Sequence, residues 1–577
     1  MGRYARLLFA VAASLATIGQ AAAARTTLAP SSEQILPDGQ HLLILCYHDV
    51  VSARAPGQDP ETIETSALAS QLDWLRKEGY VAVDLDAVER AYAGTQALPK
   101  RAVLLTFDDG YESTYTTVFP LLVAYHTPAV VALVGQWMQT PSSQTVQYGE
   151  QQLRRDRFLD WDQARRMQDS GLIEFASHTW DLHHGVAADP GGSLEPAATS
   201  HLYLGDGRYE DDAAWSGRLR IDLERNSRLL EQRLGRRPRA IVWPYGRHNE
   251  QAERIARDLG MPIGMSLDQG RADVSVPIGR LRRLLVDAAP DTARFARLIR
   301  QQDEASVVRA IQFDLAPLAA VDPASIGASL DEAVLRLRRL GARTVVIRAC
   351  EQAGAGEKTG VAYFPNRLLP LRADLLGRAA WRFATAAGAG VWAWMPLDGC
   401  LADPRGEAAG GETRLDALFE DLGKSSYVAG LLLGPADPSD SLLATSARLA
   451  QRVRAWQPQL ATGLWIDGTD EAALPRRIRS ALQFHDFAFV EGSTIQAAGG
   501  PSLLGDASAR IVAIIATTDA SNLQRAASAG DDLVRVGLPN LFLPGSPLSG
   551  DASGLAALRS TFSVEAGLRR VATGESR

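Results

Sequence analysis

Leu104-Leu105-Thr106-Phe107-Asp108-Asp109-Gly110 is an apolar strand that runs into two adjacent carboxylates and a glycine. Such a continuous apolar run fits a strand buried on both faces of a parallel sheet, and it carries both acids to the sheet's rim. Taken alone, the Asp-Asp pair reads equally well as a solvated turn or a helix cap. Three other stretches add weight. Ser177-His178-Thr179-Trp180-Asp181-Leu182-His183 places two histidines in one short loop. Leu43-Ile44-Leu45-Cys46-Tyr47-His48-Asp49 is a second apolar strand closed by a polar cluster. Ala240-Ile241-Val242-Trp243-Pro244-Tyr245-Gly246 is a third, closed by an aromatic-proline-glycine turn. Four strands ending in chemically loaded turns suggest one mouth at the carboxyl ends of a barrel-like sheet.

The residue types point to a reaction. Two imidazoles and a carboxylate leave coordination positions open on a divalent ion, zinc or a similar one. An ion held that way can activate water rather than merely brace the fold. His178, His183 and Asp109 are the candidate ligands, and Asp108 is then free to act as general base. That chemistry is metal-assisted hydrolysis.

The motifs LCYHDV (45–50), LTFDDGY (105–111), ASHTWDLHHG (176–185), EPAATS (195–200), VWPYG (242–246) and GMPIGMSLDQG (260–270) resemble the polysaccharide deacetylases of the NodB type, carbohydrate esterase family 4. Within that family they look like the branch acting on the biofilm polymer poly-β-1,6-N-acetylglucosamine (PNAG). The five-residue step from His178 to His183 is diagnostic, because most of the wider family uses four. AYFPNRLLPLRADL (362–375) and VWAWMP (391–396) carry the likeness, more weakly, into the second half.

The resemblance implies an α/β chain in which a distorted (β/α) barrel of the polysaccharide deacetylase type precedes a (β/α)₈ barrel. It implies Asp108 as base and Asp109 as ligand, in that order. His48 is the implied acid for the leaving amine, because the family's late Leu-His motif is absent and no histidine lies between His248 and His485. Asp49 is the expected partner of that imidazole, and the Tyr245 backbone N–H an expected oxyanion donor. Trp180, Trp243 and Tyr245 read as sugar-stacking surfaces or as core packing. His184 reads as an ordinary loop histidine.

Bulk properties set the frame. A chain of 577 residues exceeds one ordinary core, so at least two domains are expected. The net charge of −7 supplies no basic footprint for nucleic acid. Arg3 and Arg6, the apolar run Leu7 to Ile18 and the small residues Ala21 to Ala24 read as a cleavable leader over residues 1–24. No cysteine follows that run, so a periplasmic or secreted protein without a lipid anchor is expected, with an outer-membrane export porin as a possible partner. Of the three cysteines, Cys350 and Cys400 could bridge, and Cys46 reads as a small core residue.

Strands alternate with amphipathic helices over residues 41–303, the expected deacetylase domain, with helices at 66–78, 161–170, 217–234 and 250–259. Residues 185–212 read as a long loop near the metal site. Residues 309–560 read as a glycoside-hydrolase-like barrel with strands at 310–315, 344–350, 391–397, 428–433, 462–466, 487–490, 511–516 and 533–536. Many carboxylates follow those strands, among them Asp314, Glu351, Asp398, Asp437, Asp467, Glu491 and Asp519, and helix capping explains them as readily as a carbohydrate groove.

Relatives that cleave polymer carry His-Asp-Asp after the fourth barrel strand. Gly434, Pro435 and Ala436 stand there instead, with Asp437 one place late. The second barrel is therefore expected to bind polymer without cutting it. The alternatives are a bifunctional enzyme using Asp437 with Glu491, a deacetylase of chitin oligomers or peptidoglycan, and a non-catalytic scaffold. The scaffold predicts a damaged triad, yet Asp109, His178 and His183 are all present.

Overall fold

The computed structural model describes residues 36–563 except 37–39, 56, 150, 269, 271, 273–275, 288–290, 301–306, 352–359, 397–407, 437, 468–470, 502–504, 517–521, 546 and 550–551. The expected leader and residues Asp398, Cys400, Asp437 and Asp519 fall outside that set. The chain divides into two compact units, one formed mainly by residues 27–304 and the other by residues from 305 onward. Among the described residues no helix is long and apolar enough to cross a membrane.

Hydrogen-bonded neighbours in the first unit's sheet run in the order Leu281–Arg282, Ile263–Ser266, Ala240–Val242, Ile173–Ser177, Ala129–Leu133, Ala102–Phe107, Leu42–Tyr47 and Leu284–Leu285, with Val81–Ala82 added beside Ala102–Phe107. All these pairings are parallel. Leu42–Tyr47 and Ala102–Phe107 are buried at every position, which explains their unbroken apolar sequence. The sheet nearly closes. Leu281–Arg282 joins one outer strand and Leu284–Leu285 joins the other, so Arg283 stands at the seam between them.

Local chemistry sets the helix starts. Asp160 and Gln163 form a capping box ahead of Trp161–Asp169, and Asn249 caps Glu250–Asp258. The helix expected at 217 begins earlier, as Asp212–Leu234, because the Asp211 side chain accepts the Ala214 N–H. The expected long loop at 185–212 is more ordered than its composition suggested. It holds two small hairpins, Gly185–Ala187 with Leu194–Pro196 and Tyr203–Gly205 with Arg208–Tyr209. Arg218, reaching back from the helix, donates to Ala197 O at 2.7 Å and Ser200 O at 3.0 Å and fastens the segment.

The second unit is a closed barrel of eight parallel strands: Arg309–Phe313, Thr344–Arg348, Gly390–Met395, Gly430–Ala436, Ala461–Ile466, Phe487–Glu491, Ile511–Ile514 and Asn540–Leu543. Its interior is filled by Trp392, Phe489, Phe542 and smaller apolar residues. Gly430 and Gly463 make room, since a side chain at either would overlap the Trp392 or Phe489 ring.

Seven expected strands coincide with observed ones; the eighth does not. Residues 533–536 end the helix Leu523–Arg535, and the strand is Asn540–Leu543. Ala526, Ala527, Gly530 and Leu533 are buried at helical spacing, so packing overrides the strand-like look of Leu-Val-Arg-Val.

Candidate metal centre

Asp109 leaves the end of Ala102–Phe107 in a left-handed backbone conformation, with φ 70°. Its Oδ1 lies 3.4 Å from His178 Nε2 and 3.3 Å from His183 Nε2. Each of the three offers a ligand atom within 4.8 Å of the others. His178 Nδ1 is 2.7 Å from Val242 O, which fixes the tautomer and leaves Nε2 as a lone pair aimed at Asp109. Asp109 Oδ1 is buried and makes no hydrogen bond. A buried, unpartnered carboxylate oxygen between two imidazole nitrogens fits a divalent cation.

The five-residue histidine step is held from behind. Thr179 adopts φ 70°, unusual for a β-branched residue, and its hydroxyl accepts the Leu182 N–H. Asp222, on the helix Asp212–Leu234, accepts the N–H groups of Trp180 at 2.7 Å and Asp181 at 2.8 Å. Asn226 of the same helix donates to Ser177 Oγ and Leu133 O. Tyr148 completes the frame by donating its hydroxyl to Asp109 Oδ2 at 3.0 Å.

Asp108 faces a different set of groups. Arg283, fully buried at the seam, binds its Oδ1 at 2.7 Å. Oδ2 lies 4.0 Å from His48 Nε2 and 3.5 Å from the Cys46 sulfur. Burial opposes ionisation of Asp108, but Arg283 and then His178 more than offset it, so the carboxyl is held below its usual range. Burial likewise works against a charged His48. Glu61 first, with Asp109 and Asp108, outweighs it, and the imidazole stays protonated to higher pH than a free one.

Several expectations need correction. The carboxylate beside His48 is Glu61, whose Oε2 lies 3.2 Å from Nδ1. Asp49 instead accepts from Ser113 Oγ and Arg157 Nη2, both at 2.7 Å, and braces the strand end. Trp243 is 1% exposed and sits in the core, so its ring offers no face to a sugar. Trp180 is half-buried and covered on one face by the Arg225 guanidinium, 3.7 Å from the ring centroid. Tyr245 does reach the site, with its ring 4.7 Å from that of His183 and its backbone at φ 58°.

Arg283, Glu61 and Tyr148 were not singled out from sequence. Arg283 lies in the run Arg280-Leu281-Arg282-Arg283, where no pattern says which guanidinium turns inward. Cys350 is buried with its sulfur 3.9 Å from Met395 Sδ, and its expected bridge to Cys400 lies outside the described residues.

At the carboxyl end of the second unit's barrel, Trp394 and Trp465 pair at 5.1 Å between centroids. Arg348 lies 4.3 Å over the Trp394 ring, and Trp394 Nε1 donates to Gly434 O at 2.6 Å. Burial first, and then Asp467, raises the Glu491 carboxyl above its ordinary value.

Residues 95–264 match the polysaccharide deacetylase family. Residues 312–407 match hypothetical glycosyl hydrolase family 13. The poly-β-1,6-N-acetyl-D-glucosamine N-deacetylase of Escherichia coli K12 is 35% identical over 361 residues, 62% of this chain and 53% of that protein. The protein of the same name from Staphylococcus epidermidis is 25% identical over 234 residues, 41% of this chain and 70% of that one. A de-N-acetylase structure from Aggregatibacter actinomycetemcomitans is 37% identical, with 45% of this chain and all of that one covered at a TM-score of 0.42. The chain spans about half the length of the E. coli relative. The matched segment contains Asp108, Asp109, His178, His183 and Tyr245, while His48 and Arg283 lie beyond it.

Proposed function

We propose that the chain is a metal-dependent N-deacetylase that hydrolyses acetamido groups of a PNAG-type polysaccharide. The single observation that carries this is the pairing of an Asp109-His178-His183 ligand set with a second carboxylate, Asp108, held ionised by Arg283. The resemblance to PNAG N-deacetylases supports the choice of polymer. Asp109, His178 and His183 would hold the cation, zinc or a similar ion. When bound, it supplies Lewis acidity towards the acetyl carbonyl and lowers the pKa of water.

The chain's own residues do the rest. Asp108 takes a proton from the attacking water on Oδ2, the oxygen that Arg283 leaves available. Arg283 keeps that carboxylate ionised and oriented. His48, charged with help from Glu61, returns a proton to the leaving amine nitrogen. Tyr245 closes the side of the site next to His183.

In the same reading the second barrel binds the partly deacetylated polymer, with the half-buried Trp465 at its carboxyl end, backed by the buried Trp394, as the ring nearest to solvent. An exported protein, periplasmic or secreted and served by an outer-membrane porin, fits the basic and apolar leader sequence. One observation favours a bifunctional enzyme: the raised Glu491 carboxyl is suited to an acid role in glycoside cleavage.

Acetate release from PNAG, chitin oligomers and peptidoglycan, with and without chelator, tests the proposal. Chelator-sensitive release from PNAG above the other two is expected; equal release from all three refutes the polymer assignment. Shorter oligosaccharides that disappear with Glu491→Gln would establish the bifunctional reading.

A further inference from the structure

Cys46, His48 and Asp108 bring a second set of ligating atoms together, and we propose that they bind a second, thiophilic divalent cation such as zinc or cadmium, whose arrival switches hydrolysis off. The three donors lie within 4.8 Å of one another, the same criterion that the Asp109 set meets. The Cys46 sulfur is 3.5 Å and His48 Nε2 4.0 Å from Asp108 Oδ2. Ligand distances of about 2.0–2.3 Å to one ion require only small side-chain rotations from there. Thiolate, imidazole and carboxylate are the three donor types that zinc takes from proteins.

Three features prepare the site. Glu61 Oε2 lies 3.2 Å from His48 Nδ1, an ion-pair distance, while Nε2 faces Asp108 Oδ2. Arg283 occupies Asp108 Oδ1 and leaves Oδ2 to the cluster. A Cys46 thiolate and Asp108 offset two of the three positive charges of Arg283 and a dication, and Glu61 lies behind His48 at 3.2 Å. In the ion's absence burial keeps Cys46 a thiol, its pKa pushed well above the usual range. Binding breaks the S–H bond, forms a sulfur–metal bond and releases the proton to solvent, with no change of oxidation state.

An ion there occupies the oxygen Asp108 uses as base and the nitrogen His48 uses as acid. That consequence for turnover rests on the deacetylase reading; the binding itself does not. The soft donor makes the second site selective. The first offers only nitrogen and oxygen, so cadmium and zinc, rather than magnesium, are expected at the second.

The test is to load the full-length protein with one equivalent of zinc and titrate it with cadmium. Thiolate-to-cadmium ultraviolet absorption and acetate release from PNAG are followed together. One further equivalent should raise the absorption band and lower acetate release in parallel. Cys46→Ala should lose the band and raise the inhibitory cadmium concentration by about 10-fold or more. His48→Gln leaves the buried sulfur and its strand intact and should weaken the second ion by roughly 10–100-fold or more, read from the absorption alone. A band undiminished in Cys46→Ala, or no second equivalent at all, overturns the site. A saturated band with undiminished acetate release overturns the switch. A zinc-loaded protein that never releases acetate refutes the deacetylase reading, while the absorption still decides the site.

Discussion

The first unit gathers carboxylates, imidazoles and strained backbone at its rim; the second unit's barrel packs a buried Trp394 against a half-buried Trp465 at its carboxyl end, with the Arg348 guanidinium over the Trp394 ring. Among the described residues, every non-glycine residue with positive φ lies in the first unit, and Asp109, Thr179 and Tyr245 all line or adjoin the metal centre. Each such residue costs about 1–3 kcal/mol, a cost that persists where geometry must be held against local preference. The second unit carries no such strain among its described non-glycine residues. The difference teaches that a hydrolytic centre of the proposed kind needs convergent, strained, ion-paired groups, whereas a barrel end built from packed aromatic rings needs none of that strain.

The comparison breaks most readily at the seam. Arg283→Gln should cut kcat by roughly 10²–10⁴-fold, because Asp108 loses the charge that offsets its burial. The acid limb of the pH–rate profile should move to higher pH, since the uncompensated carboxyl then protonates more readily. An unmoved limb would mean that Arg283 does not tune the base. Tyr148→Phe should weaken metal binding by roughly 10–100-fold by freeing Asp109 Oδ2, as measured by competition with a chelator.

Two buried histidines sharpen the contrast through stability. In the first unit burial disfavours a charged His248, yet Asp268 and Glu253 prevail and raise its pKa from 6.5 to about 9. Its contribution is complete below pH 6.5 and is lost as pH rises through about 9. In the second unit burial, reinforced by Arg454, lowers His485 from 6.5 to about 3, with Ser446 as its hydrogen-bond partner. Its neutral form is accommodated above pH 6.5, and stability falls as pH drops from there towards 3. Thermal unfolding across pH should show the first unit weakening in alkali and the second in acid. His248→Gln and His485→Gln should flatten the respective slopes. The smallest effect is expected from Glu491→Gln, which should leave acetate release within about twofold of the parent, as for a residue outside the reacting centre.

Most of the architecture was legible because parallel strands buried on both faces write themselves as apolar runs, as Ala102–Phe107 and Leu42–Tyr47 do. The eighth barrel strand was misplaced because Leu533-Val534-Arg535-Val536 has strand composition but helical burial. The candidate metal ligands were legible because their residue types and spacing carry chemistry. Their supports were not, because Arg283 comes from an element distant in sequence that the near-closure of the sheet brings in, and Glu61 from a turn ahead of Ile63–Glu64, which pairs with Val50–Val51. Asp49 lost to Glu61 because, past the end of Leu42–Tyr47, its side chain turns to Ser113 and Arg157 instead of His48.

The most direct measurement compares metal content and acetate release in Asp108→Asn and His183→Ala, side by side with the parent. Asp108→Asn should keep its full complement of metal and lose turnover by roughly 10²–10⁴-fold, while His183→Ala should lose both. Near-normal turnover in Asp108→Asn, or undiminished metal in His183→Ala, would contradict the division of labour between the twin acids.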